Sequence, residues 1–123
     1  MKDPPLDALG LTPDQLGRVA AYLRKWPDRR LAPGSLMTGA GLTREKASGL
    51  LRILAAHRYG QLFLEVFHTC EDFSVATRPW AKGPVLPPWR CPNCGVVVSD
   101  EEDIRYDWHY LPRQLPPFAQ GAE

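Results

Sequence analysis

The feature that most limits what this chain can fold into is a change of hydrophobic period at Gly60. Upstream, Leu16, Val19, Ala20 and Leu23 stand at i, i+3, i+4 and i+7, and Ala47, Leu50, Leu51, Leu54 and Ala55 repeat that spacing. Each set falls on one face of a helix. Downstream, "QLFLEVFHTC" (61–70) alternates and is rich in aromatic and branched residues, the mark of a half-buried strand. Leu62, Leu64, Val66, His68 and Cys70 share one face, and Phe63, Glu65, Phe67 and Thr69 the other. A chain that is helical in its first half and extended after it belongs to the α+β class.

Local signals divide the halves further. Thr12 as N-cap, Pro13 at the first helical position, and Asp14 and Gln15 in the first turn start a helix, and Pro27 stops it, giving a helix over 13–26. Ser35 is expected to cap a short helix carrying Leu36 and Met37 and ending near Gly39 or Gly41. Thr43 caps a longer helix that Gly60 ends. After the 61–70 strand the chain turns at Glu71-Asp72 and returns as a second strand over 73–77. Residues 79–89, "PWAKGPVLPPW", hold four prolines and form a stiff connector. Val96–Val98 make a short strand. Ile104, Tyr106, Trp108 and Tyr110 then alternate with Arg105, Asp107 and His109, which pairs a second strand with it; a helix capped by Ser99 with Glu102 is the alternative. Residues 1–11 read as a flexible leader and 112–123 as a disordered tail.

"WRCPNCGVVV" (89–98) raises the question of chemistry. Cys91 and Cys94 are spaced to occupy neighbouring vertices of a tetrahedron, with Gly95 supplying the positive φ such a turn often needs. A second Cys-x-x-Cys is absent from the sequence. His68 and Cys70, on one strand face some twenty residues earlier, supply the missing half. His109 is the rival fourth ligand. Zinc is the expected metal, one per chain, and four protein ligands would make it structural. The competing reading is a pair of free or redox-active thiols, but a redox Cys-x-x-Cys sits at a helix N-terminus of an α/β fold, which this pattern lacks.

Three helices followed by a hairpin, with "LTREKASGLLRILAAHRYG" (42–60) as the third helix and its exit turn, resemble a winged helix-turn-helix domain over 12–78. The Cys-Pro-x-Cys-Gly knuckle resembles half of a zinc ribbon, so residues 79–111 read as a connector and a small zinc-stapled hairpin. The resemblance implies a small DNA-binding transcriptional regulator. Arg44 and Arg52 would reach base edges, Ser48 a phosphate, and Lys46 and Arg78 would add positive charge. The alternative it leaves open is a protein–protein adaptor, favoured by the small Gly49 and Ala56 and by Glu45 on the same face. Partners are then double-stranded DNA or another protein, and a homodimer fits either.

Bulk composition narrows the field. With 123 residues, 44% hydrophobic and 24% charged, the chain holds one ordinary domain or a small one with an appendage. A formal charge of +1 gives no global case for nucleic acid, so any such contact needs a local patch. No apolar run approaches the ~20 residues of a membrane span, and "MKDPPLDALG" lacks a signal-peptide core, so the chain reads as cytoplasmic. Neither a Gly-rich phosphate loop nor a nucleophile with a neighbouring base is present, and the run Asp100–Asp103 reads as a solvated turn, so no enzyme is expected.

Overall fold

The computed structural model describes residues 3–120. They form two compact units, one built from the chain up to Gln61 together with Tyr110 onward, the other from Leu62–His109. Together they contain three helices and two small sheets, the α+β class that the period change implies.

The first unit is the helical one. In α1 (Pro13–Lys25) Thr12 Oγ1 accepts the Gln15 N–H and Gln15 Oε1 accepts the Thr12 N–H, both at 3.0 Å. This reciprocal capping satisfies two backbone donors that a helix start otherwise leaves open. The next helix, α2 (Pro33–Ala40), starts earlier than expected. Pro33 takes its first position, where a fixed φ and a missing N–H cost nothing. Ser35 therefore lies inside the first turn, with its Oγ accepting the Ala32 N–H at 3.2 Å. Gly41, at φ +68°, closes the helix. In α3 (Arg44–Ala56) Thr43 Oγ1 accepts the Lys46 N–H at 3.2 Å.

Gly60 does not end α3. Arg58, at φ +66°, takes the left-handed position, and Gly60 opens the first strand. Its lack of a side chain has a different cause: a Cβ there would run into the Tyr110 ring. Leu31, between α1 and α2, exchanges two backbone hydrogen bonds with Tyr110, at 2.8 and 2.7 Å. Leu31, Leu36, Leu50, Leu51 and Leu54 are fully buried, each contributing about 1.5–3 kcal/mol from burial.

Both ends of the described chain are folded onto this unit. A short turn at Asp7–Leu9 packs on α3, where a Cβ at Gly49 would lie 2.8 Å from Leu9 Cδ2. Lys46 Nζ donates to the Gly10 carbonyl at 3.3 Å. At the other end Pro116 and Ala119 are buried, and Arg24 Nη1 donates to the Ala119 carbonyl at 3.3 Å. The expected leader and tail thus both supply packing; residues 1–2 and 121–123 lie outside the described residues.

The second unit is extended. β1 (Gly60–His68) enters it from the first unit and pairs antiparallel with β2 (Ala76–Pro79), in register from Phe63↔Pro79 to Val66↔Ala76. β2 begins later than the expected 73–77, because residues 69–75 form a loop that leaves Phe73 exposed. Val96–Val98 and the 104–110 strand do not pair with each other. Instead β3 (Trp89–Arg90) and β4 (Val97–Val98) form a two-stranded hairpin around the cysteine knuckle. β5 (Ile104–Pro112) joins the larger sheet, whose order is β2-β1-β5. The helix alternative from Ser99 reduces to one 3-10 turn, Glu101–Asp103, capped by Asp100, whose carboxylate accepts the Glu102 N–H at 2.9 Å. A core of Val66, Val85, Val98 and Ile104, with Ala76 and Trp89 against it, lies within this unit.

Candidate metal centre

Four side chains of the second unit converge. The ligand atoms of His68, Cys70, Cys91 and Cys94 all lie within 4.8 Å of one another. Cys70 Sγ is 3.8 Å from Cys91 Sγ, and His68 Nδ1 is 3.6 Å from Cys94 Sγ. Zinc bonded to sulfur at about 2.3 Å and to imidazole at about 2.05 Å, in tetrahedral geometry, sets edges of about 3.8 Å and 3.6 Å. The two separations just given match edges of a zinc tetrahedron. A disulfide needs about 2.05 Å, and all three cysteines are free.

Each ligand is placed by a local device. His68 is the last residue of β1, buried on the sheet face that also carries Val66. Cys70 is not in the strand. It lies in the turn that follows, where the Glu71 N–H bonds the His68 carbonyl at 3.2 Å. The turn does the work expected of strand alternation, returning the Cys70 sulfur toward the His68 side. Cys91 and Cys94 are held by the β3–β4 hairpin. The Cys91 N–H bonds the Val96 carbonyl and the Gly95 N–H bonds the Cys91 carbonyl, each at 2.9 Å, and Gly95 has φ +78°. Arg90 Nη1 donates to the Gly95 carbonyl at 2.7 Å and ties down the turn. Trp89, two residues before Cys91 in the chain, packs on the Val66, Val85, Val98 and Ile104 core.

The electrostatics favour ionisation at Cys91 and oppose it at Cys70. Burial pushes the Cys91 thiol up from its ordinary 9.0, but the backbone N–H groups of Cys94 and Asn93, with the neighbouring thiols, outweigh it and bring it down to about 7. Burial raises Cys70; the Asn93 side chain opposes this by donating to its sulfur at 3.6 Å. Asn93 is a contributor that the sequence reading passed over. Its signal was an amide side chain inside the knuckle, within reach of a thiolate. Sulfur ligation requires deprotonation, so donors aimed at sulfur favour a metal.

His109, the rival ligand, is elsewhere. It is buried, and its ring stacks on Phe63 with centroids 5.4 Å apart. Its Nδ1 lies 3.4 Å from Glu65 Oε2, within ion-pair reach but outside hydrogen-bond geometry, with no hydrogen-bond partner among the described residues.

Of the residues considered for nucleic acid, Arg44, Ser48 and Arg52 recur every four positions along α3. Arg44 and Arg52 are exposed on α3 and Ser48 is half-buried. Lys46 is engaged with the Gly10 carbonyl. Arg78 lies on β2, half-buried, its Nε donating to the Gly83 carbonyl at 3.0 Å. His57 forms the C-cap of α3 and is exposed. Among the described residues no helix is long and apolar enough to cross a membrane. No protein-family model, curated protein or solved structure matches the chain.

Proposed function

We propose that the chain is a small DNA-binding regulator of winged-helix type, stapled by one structural zinc on His68, Cys70, Cys91 and Cys94. With four protein ligands the metal would have no open position for catalysis, so its role is to hold the β1–β2 loop and the knuckle together. The observation that carries the DNA reading is a separation of charge. The sequence of the helical unit carries eleven Lys and Arg against six Asp and Glu, a net of +5; the zinc unit carries four against eight, a net of −4. The formal +1 of the whole chain hides this. A polyanion is drawn to the helical unit, where Arg44 and Arg52 stand exposed. Lys46 adds charge beside them while donating to the Gly10 carbonyl, and Arg78 donates to the Gly83 carbonyl.

The test is a titration of duplex DNA into the zinc-loaded protein at several salt concentrations. Affinity is expected to fall linearly on a log–log plot, with a slope of about −0.9 per phosphate neutralised. The double variant Arg44→Glu/Arg52→Glu is expected to weaken binding about tenfold or more. Duplex binding that is absent, salt-independent or unchanged in this variant overturns the reading. One observation favours the second reading, a protein adaptor: Phe73, Leu86, Val96 and Val97 of the zinc unit are large, apolar and exposed. A salt-insensitive complex lost on Val96→Asp/Val97→Asp would establish it.

A further inference from the structure

The helical unit carries a second basic surface, away from the α3 residues considered above. A groove of about 380 Å³ is lined by Arg18, Ala21, Tyr22, Lys25, Trp26 and Gly39, from α1, its end and α2. Its chemistry is unusual for a surface cleft. The wall is aromatic, the rim is cationic, and no acidic residue lines it. We propose that this groove binds single-stranded nucleic acid, with an unpaired base on the Trp26 and Tyr22 rings and the adjoining phosphates on Arg18, Lys25 and Arg29.

Three observations carry it. First, Gly39 leaves room for the aromatic wall: a Cβ there would lie 2.5 Å from Tyr22 Cδ2 and 2.6 Å from its Cε2, so the glycine lets that ring approach α2 closely. Second, Trp26 is 36% exposed although it is large and apolar. The Arg29 guanidinium lies over its ring, 4.8 Å from the centre, and the Lys25 ammonium over it at 5.4 Å, so a base that stacks there takes the place of a cation and turns it to the adjoining phosphate. Third, Arg18 is available. Its ion pair with Asp14, at 3.2 Å, is solvent-exposed on both sides and worth little against a phosphate.

The occupant follows from the combination. An acidic peptide would use the cations and leave the rings idle. A duplex buries its bases and would use only the rim. A single strand presents an anion and a free planar base at every step, which is what this surface complements. The inference rests on the nucleic-acid reading above only in taking the positive helical unit as the binding half.

The test measures fluorescence anisotropy of labelled oligo-dT and oligo-rU, each about twelve nucleotides long, a length one small domain can cover. The full chain is used with zinc bound. Wild type is expected to bind in a salt-dependent way. Trp26→Ala is expected to bind about tenfold or more weakly and Trp26→Phe to keep most of the affinity. Trp26 is partly exposed, and unchanged helical circular dichroism and zinc content certify that its variants fold. A preference for rU identifies RNA as the strand and a preference for dT identifies DNA; either supports the groove. No binding by wild type, equal binding by Trp26→Ala, or displacement by polyglutamate as effective as by unlabelled oligo-dT overturns it. The Arg44→Glu/Arg52→Glu variant separates the two readings. It should lose the duplex and keep the single strand, so either site can fail alone.

Discussion

The helical unit and the zinc unit answer the same problem, how to hold a short chain together, in different ways. The helical unit uses side-chain volume: five fully buried leucines, capped helices and a closing strand. The other unit has a small cluster of Val66, Val85, Val98 and Ile104, with Ala76 and Trp89 against it, and brings four potential metal ligands together. A core that small rarely supplies more than a few kcal/mol in a short domain, whereas a structural zinc contributes about 10–16 kcal/mol in small zinc peptides near neutral pH. The difference teaches where each half is vulnerable, the first to lost volume and the second to lost ligands. The charges divide along the same line, positive where packing dominates and negative where the cysteines gather.

The largest effect should come from breaking the metal side. Cys91→Ser, or a strong chelator on wild type, is expected to reduce zinc from about one per chain to a small fraction, and the amide resonances of 62–109 should collapse while those of α1–α3 persist. Metal analysis with residue-resolved NMR checks this, and helices that melt with the metal would erase the contrast. Next is Leu50→Ala, which should cost about 2–5 kcal/mol by cavity formation. Denaturant unfolding reads the loss, and zinc content should stay unchanged while the chain remains folded.

The smallest effect is expected in the metal-free protein with pH. Cys91 titrates near 7 in the fold and near 9.0 when unperturbed. Its thiolate therefore contributes stability fully above about pH 9. That contribution falls as the pH drops toward 7 and is gone below it. Ultraviolet thiolate absorbance of wild type minus Cys91→Ser should show a midpoint near 7, and a midpoint near 9.0 would mean the knuckle amides do not reach the sulfur.

Legibility in the sequence also divides between the halves. Thr12 and Thr43 announced their helices because a cap is a local hydrogen bond within three residues. The ligand set was approachable because "HTC" and "CPNC" each carry their own short-range geometry. Strand partners were not legible. Nothing in the alternation of 104–110 says whether it pairs with Val96–Val98 or with β1, since pairing is a long-range choice made by packing. The same limit hid the burial of His109, which depends on Phe63 across the sheet. At Gly60 the residue was noticed and its reason misassigned. The constraint was the Tyr110 ring, fifty positions away in the chain, and no local rule carries that information.

The mutual hydrogen bonds of Leu31 and Tyr110 bear on how the protein is made. The helices leave the ribosome early, but the strand that completes their unit is translated only after the whole 62–109 segment. Until then Leu31 and Gly60 lack their native neighbour, and the nascent helices must wait for it. Metal capture can precede that moment, because its last ligand, Cys94, emerges ahead of Tyr110. The order of synthesis thus lets the 62–109 segment order itself before the helical unit closes.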